Sequence, residues 1–431
     1  MLLNLFQRVF RLREHETTLK TEVLAGMTSF FTIVYIVAVN SAILADAGIP
    51  LAGGVLATVL TACFGCLLMG FYANAPLMLV PGMGVNAFFV YTIVNSMGLS
   101  WQEGLAAVFL SGVLFAITAF TRLAGWLSDA IPQSLKEAIT VGIGILLTFI
   151  GLQKGSIVAP SSTTFVQMGH LSSPEALVTI LTLVITLVLF FRNVKGAFLL
   201  SILVGTGLGW AFGLVHPGQS SAASSASILD GFSVIGALSF GKIGSLSFWM
   251  ATFSLTMILV FENMGILSGF VPEEKFKRSF QSNAISVISS GFFGTSPTVT
   301  TVENAAGLAA GGKTGLTALT AGVLFLVSLF FLPFIQMIPG CAIAPVLIVI
   351  GGLMIQNVTR VKFHDITEGF PSFLIIALIP LTYSIADGIA FGFIAYPVLK
   401  LALGRTKEIR LPVVIIAGLF LVNLVLNALG V

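Results

Sequence analysis

Apolar runs long enough to cross a bilayer follow one another almost without pause along this chain, separated by short polar connections. A stretch of about 18 or more apolar residues spans the ~30 Å hydrocarbon layer as a helix. Spans are therefore expected near 22–44, 51–72, 80–95, 101–121, 135–153, 172–191, 195–215, 245–269, 279–294, 302–313, 315–336, 341–358, 370–384 and 387–403. A last apolar stretch, 411–430, reads as a further span or as an interfacial hairpin. The longest polar stretch is rich in Ser, Ala and Gly and reads as an external linker. The chain then divides into a first half (1–215), the linker (216–244), a second half (245–403) and a C-terminal apolar segment (404–431).

Composition removes the soluble alternative. Only 9% of the 431 residues are charged and 57% are hydrophobic, where a soluble domain carries about a quarter charged residues. The mean hydropathy is +1.06. No cleavable signal peptide is apparent, because the first apolar run is long enough to span. Read with the amino terminus inside, the connections place the basic residues in alternate loops. Lys154 and Lys242 alone fall outside, leaving 18 of the 20 Lys and Arg on the cytoplasmic side, as the positive-inside bias requires. The expected location is thus the inner or plasma membrane, multi-pass, with a cytoplasmic amino terminus.

The two halves look related. Ile131-Pro132 opens a run with Gly142, Gly144 and Gln153, and Ile338-Pro339 opens another with Gly351, Gly352 and Gln356. Pro81 to Ala87 likewise resembles Ser296 to Ala305. The second pair lies about seven spans after the first, an odd number, so the repeats are expected to be inverted, as in many secondary transporters. Two of the spans are short and interrupted: Asn74 to Gly84, with Pro76 and Pro81, and Gly291 to Thr301, with Pro297. Leu77–Val80 and Thr298–Thr301 favour strand over helix, and their proline and glycine flanks deny a continuous helix. Irregular backbone at membrane depth is tolerated only when buried in protein or lining a cavity. Half-helices starting near Gly82 and Val302 would aim free backbone N–H groups at that place.

Two carboxylates sit inside apolar sequence, Glu262 in FSLTMILVFENMGILSGF and Glu303 at the start of VENAAGLAAGG. Intramembrane charge is costly and marks function by default, although Glu303 could instead cap its helix. No basic residue is expected at comparable depth, so a proton or a donor-rich ligand would supply the partner. Asp387, Glu368, His364 and Asp365 read as solvated, and His170 and His216 as residues of external connections. Cys63 and Cys66 are spaced C-x-x-C within LTACFGCLLM, with no His nearby, and read with Cys341 as packing residues. No metal or other cofactor is expected. There is no G-x-x-x-x-G-K-[ST] phosphate loop, H-E-x-x-H or G-x-S-x-G, so an ATP-driven pump or an enzyme is not indicated. Phe30, Phe88 and Phe89 near the broken spans could stack on a flat ligand.

TEVLAGMTSFFTIVYIVAVNSAIL (21–44), NAPLMLVPGMGVNAFFVY (74–91), IPQSLKEAITVGIGILLTFIGLQ (131–153), FENMGIL (261–267) and GTSPTVTTVENAAGLAAGGKTGLTA (294–318) resemble the nucleobase–cation symporter-2 superfamily, most of all its azaguanine/hypoxanthine–guanine permease branch. The resemblance implies an all-α polytopic fold of about fourteen spans in two inverted seven-span repeats. Short strands and half-helices would interrupt the third and tenth spans, and a core domain would face a gate domain. It also implies proton-coupled uptake of a purine base by alternating access, with H+ as coupling ion and possible homodimers, and no role for nucleic acid. Glu262 would then hold the base and Glu303 its ring N–H groups. The half-helix Gly84, Val85, Asn86 to Phe88 would flank it, Thr301 and Phe30 would stand nearby, and Asn304 would orient Glu303 or support the strand. The branch usually carries Asp-Thr where this chain has Glu262-Asn263. The Glu matches the uracil and xanthine/uric-acid branch, yet Ile266 stands where that branch has a His. An anion carrier of the same broad fold, or a uracil/xanthine-type symporter, is the alternative.

Overall fold

A computed structural model describes residue 7 and residues 9–121, 131–214 and 231–428. Arg8, Arg122, His216, linker residues 216–230 and the end of the 411–430 stretch lie outside the described residues.

The first half runs α1 (Leu19–Ile33), α2 (Tyr35–Leu44), α3 (Leu51–Leu68), β1 (Leu79–Pro81), α4 (Met83–Ala87), α5 (Trp101–Phe120), α6 (Gln133–Lys154), the hairpin β2 (Val158–Ser161) and β3 (Phe165–Met168), α7 (Pro174–Phe191) and α8 (Ala197–Ala211). The second half runs α9 (Leu246–Phe270), α10 (Glu273–Phe293), β4 (Thr298–Thr300), α11 (Asn304–Ala309), α12 (Gly315–Ser328), α13 (Gly340–Ile355), α14 (Ile366–Thr382) and α15 (Ile385–Ala402). The chain closes with α16 (Leu411–Ala428). Helices begin where a short polar side chain can take up a first-turn amide. Thr18, Ser100, Ser173, Ser245, Thr314, Asp365 and Ser384 all do so.

The helices pack as two bundles. One gathers α1, α2, α3, α5, α9, α10 and α12; the other gathers α6, α7, α8, α13, α14 and α15. Inside the first bundle the two interrupted spans meet: β1 pairs antiparallel with β4, Leu79 opposite Thr300 and Pro81 opposite Thr298. This tiny sheet joins the two halves of the chain. It satisfies backbone groups that a bilayer could not. In the second bundle the glycines that suggested the repeat face each other. A Cβ on Gly351 would lie 2.3 Å from the Gly144 carbonyl oxygen, and one on Gly144 would lie 2.8 Å from that of Gly351. Only glycines allow α6 and α13 to cross so closely.

Several boundaries differ from the sequence expectation. The first span is not one helix: it steps at Val34, between α1 and α2. Helix α10 begins at Glu273, not near 279, with Glu273 and Glu274 in its first turn, where negative charge suits the helix dipole. The residues before Ser279 are mostly charged and exposed, Glu273, Glu274, Lys277 and Arg278 among them, so the apolar run starts later than the helix does. The half-helix α11 covers only Asn304–Ala309 of the expected 302–313. The last stretch is one helix, α16, not a hairpin, and it packs against α15 and α9.

The connections form two sets at opposite faces. On the face carrying the amino terminus, Lys400 lies 2.5 Å from Glu408, Arg405 2.8 Å from Asp365, and Arg360 3.7 Å from Glu137. On the other, Lys154 meets Asp46 at 2.7 Å and Lys242 donates to the Gly98 carbonyl at 2.9 Å. Glu368 and Asp365 are not simply solvated. Ser134 donates to Glu368 at 2.6 Å, and Asp365 caps α14 besides binding Arg405. Lys400, expected near the cytoplasmic end of the span at 387–403, is buried.

Candidate functional site

A cavity of about 1250 Å³ lies between the two bundles. Its first wall is built from the strand ends and the residues beyond them, Val80 to Gly84 and Thr301 to Glu303, with Tyr35 and Ile36 from the start of α2. One face of α9 completes that wall through Ser254, Ile258, Glu262 and Ile266, the four-residue spacing of a single helix face. The facing wall comes from Lys136, Thr140 and Ile143 of α6, from Ile350 and Met354 of α13, and from Phe393 of α15. Ile416 and Phe420 of α16 close one side.

The lining continues to Gln133, Ser268, Phe276 and Arg360, which lie by the connections of the amino-terminal face. The cavity therefore opens there. At the opposite face the bundles are tied together. Asp46, after α2 of the first bundle, accepts from Lys154 of α6 in the second and also from the Tyr91 hydroxyl at 2.6 Å, while Tyr383 donates to Gln153 within the second bundle. These residues border a smaller cavity of about 490 Å³.

Both intramembrane carboxylates reach the large cavity. Glu303 stands at the N-cap position of α11, yet its side chain does not cap the helix. Instead the Tyr35 hydroxyl donates to its Oε1 at 2.6 Å, which removes the capping alternative. Tyr35 is held by the step at Val34 and by the Phe198 ring, edge-on at 5.1 Å. Among the described residues, no hydrogen bond or ion pair engages the Glu262 carboxylate. The next residue, Asn263, is a clamp: its Oδ1 accepts from the Thr300 amide at 2.9 Å and from Asn283. The Glu262-Asn263 pair thus presents a carboxylate to the cavity while fixing β4 behind it.

Gly84 and Thr301 line the cavity as well, and the Thr301 hydroxyl has no partner. Other sequence candidates stand behind the wall. Val85, Asn86 and Phe88 are fully buried, and neither polar atom of the Asn86 amide has a partner among the described residues. Phe30 packs edge-on against Phe325 at 5.2 Å, between α1 and α12. Asn304 supports the strand and does not orient Glu303. It accepts from the Met78 amide at 2.7 Å and donates to the Met78 carbonyl at 3.1 Å. The aromatic lining comes from Phe261, Phe276, Phe393 and Phe420, which nothing distinguishes among 37 phenylalanines in the sequence.

One charge expectation needs correcting. Lys136 reaches the cavity and lies over the Phe261 ring, 4.9 Å from its centroid, so a cation does stand beside the residue preceding Glu262. Sequence places Lys136 on the cytoplasmic side at the start of the span expected at 135–153; it sits in the first turn of α6, and its long stem carries the ammonium along the wall. No group of three or more His, Cys, Asp or Glu that could hold a metal occurs among the described residues.

Paired broken spans, inverted halves and a cavity between two bundles define a multi-pass membrane permease rather than an enzyme. The chain belongs to the Permease family, whose model matches residues 20–391. It is 46% identical to the nucleobase transporter PlAzg2 of Paenibacillus larvae over 88% of this chain and 76% of that protein. It is 38% identical to the adenine permease AdeP of Escherichia coli over 98% and 96% of the two chains. With the guanine/hypoxanthine permease PbuO of Bacillus subtilis it shares 36% identity over 96% and 99%. In fold it is similar to the transmembrane domain of a cyanobacterial bicarbonate transporter, BicA, with TM-score 0.65 at 15% identity over 85% of this chain and 97% of that one. SLC26A9 matches with TM-score 0.66 at 12% identity over 89% and 65%. These neighbours share the seven-plus-seven inverted-repeat fold.

Proposed function

We propose that the protein takes up purine nucleobases together with protons by alternating access, with the amino terminus cytoplasmic and the cavity open inward in this conformation. The carrying observation is that Glu262 on α9 and Glu303 at the end of one interrupted span border one cavity, together with the end of the other interrupted span at Val80 to Gly84. A purine is a flat apolar body with N–H donors and ring acceptors on its edges. Two carboxylates accept from the donors, the Thr301 hydroxyl and backbone amides near Gly84 can donate to the acceptors, and the apolar walls cover the ring faces. A proton on one carboxylate lowers the charge that must cross with the substrate. The first bundle then moves against the second. The far-face contacts around Asp46 open while the mouth beside Lys136 closes.

Close relatives that carry nucleobases support this reading. The bicarbonate and SLC26 neighbours share the fold alone, and two acidic side chains are poor hosts for an anion. The test is uptake of radiolabelled hypoxanthine, guanine and adenine by cells expressing the wild-type protein, Glu262→Gln or Glu303→Gln at matched membrane abundance. Uptake is expected in the wild type, collapsing with a protonophore, and falling at least tenfold in either variant. Full-rate uptake by both variants, or competition by sulfate instead of purines, overturns the proposal.

A further inference from the structure

Ser254 is a polar residue that the broken-span motif does not mark, and its surroundings are unusual. Buried hydroxyls in transmembrane helices ordinarily donate to the carbonyl one turn back. On the same helix Thr252 donates to the Phe248 carbonyl at 2.8 Å and Thr256 to that of Thr252 at 2.7 Å. Ser254 lies between them, is 1% exposed, and its hydroxyl has no partner among the described residues. It also borders the large cavity. An unsatisfied buried hydroxyl is unfavourable unless a ligand or water completes it.

The position of Ser254 says what kind of ligand. It stands two turns before Glu262 on the same face of α9, with Met257 and Ile258 between them. Eight residues of helix amount to ~12 Å along the axis. Two hydrogen bonds of about 2.9 Å each, one at either end, leave roughly 6 Å for the body of the ligand. That suits a fused two-ring base with polar atoms at both ends, lying on the apolar Met257–Ile258 strip, and exceeds the reach of one six-membered ring.

Resting on the purine reading above, we infer that Ser254 is a specificity-determining residue. Its hydroxyl hydrogen-bonds the edge of the base opposite the one held at Glu262, and so favours two-ring over one-ring bases.

The experiment is calorimetric binding of hypoxanthine, 7-deazahypoxanthine, 9-deazahypoxanthine and uracil to purified wild-type, Ser254→Ala and Ser254→Thr protein. Removing one neutral hydrogen bond should raise the Kd of Ser254→Ala for hypoxanthine by about three- to tenfold. Ser254→Thr, which keeps a hydroxyl, should stay closer to wild type. The deaza analogue lacking the atom that Ser254 reads should already bind the wild type more weakly, with no further loss in Ser254→Ala. Uracil should be indifferent to the substitution. Equal Kd values for Ser254→Ala and wild type across all four ligands overturn the inference, as does an equal loss for all four, which would mark a structural effect. If the wild-type protein binds none of the purines, the purine reading itself falls. If it binds them but Ser254→Ala makes no difference, only this inference falls.

Discussion

The Nζ of Lys154 lies 2.7 Å from Oδ2 of Asp46, joining the end of α6 in one bundle to the turn after α2 in the other. Tyr91 donates to the same carboxylate oxygen. The proposed alternating-access cycle has to break these contacts, and on that reading they set part of the balance between the two open forms. A partly exposed ion pair contributes about 1 kcal/mol or less. In Lys154→Ala, a cysteine placed at Asn95 in the smaller cavity should react with an impermeant maleimide up to about fivefold faster than in the parent, by that energy. Unchanged labelling would mean that the pair does not hold the far face shut.

Tyr35 offers a second test. Its hydroxyl engages Glu303 Oε1, and a hydrogen bond to a charged group contributes about 1.5–3 kcal/mol. Tyr35→Phe keeps the ring against Phe198 and frees the carboxylate to swing. Purine uptake should show a KM raised on the order of tenfold, with membrane abundance unchanged. A KM within twofold of wild type would assign Tyr35 to packing alone.

Glu22 is fully buried and accepts three hydrogen bonds: from the Lys313 amide at 3.0 Å, the Thr314 amide at 3.2 Å and the Thr317 hydroxyl at 2.6 Å. It fastens α1 to the start of α12. Glu22→Ala strands two amides and a hydroxyl, so a loss of about 3 kcal/mol and a Tm lower by several degrees are expected. Glu22→Gln, which keeps one acceptor oxygen, should lose less. Thermal unfolding in detergent checks both.

The glycine crossing predicts a steric effect with a direction. Gly351→Ala would place a methyl group 2.3 Å from the Gly144 carbonyl oxygen and 2.2 Å from the Thr148 hydroxyl. The helices must separate or the chain must fold poorly, at a cost of about 1–3 kcal/mol. Gly352→Ala meets nothing within 4 Å and should leave Tm and expression near wild type.

Asp365 gives a pH dependence. Hydrogen bonding from Thr367 is the largest cause holding its carboxyl down at about 2, with Lys400 and Arg405 adding to it. A carboxylate with a depressed folded value stabilises the protein above its ordinary value near 3.8, and that contribution disappears as pH falls toward 2. Wild-type Tm should therefore drop between pH 4 and 2 more steeply than that of Asp365→Asn. Parallel curves would show that Asp365 does not contribute.

The span pattern, the strand-forming breaks and the two carboxylates are legible in sequence because each contradicts its surroundings. Charge is conspicuous in FSLTMILVFENMG, and proline and glycine are conspicuous at the ends of short spans. What stays hidden is pairing over long separations. Nothing in the apolar run around Tyr35 marks it, and its partner Glu303 lies 268 residues away. Lys136 reads as a cytoplasmic cation at the start of a span until it is seen lying over Phe261. Ser254 has ordinary hydroxyl neighbours and differs from them only in making no bond. Asn304 stands among the candidate site residues in sequence, but the Met78 backbone takes its amide first.

The pairing of β1 with β4 bears on biogenesis. The strand at 79–81 is synthesised more than two hundred residues before its partner at 298–300. Until that partner arrives, its carbonyls and amides face the bilayer interior or the insertion machinery unanswered. The first seven spans alone should be a poor substrate for release into lipid, and a ribosome stalled within the linker should leave them open to quality-control proteases. Supplying the second half as a separate polypeptide is then the natural rescue.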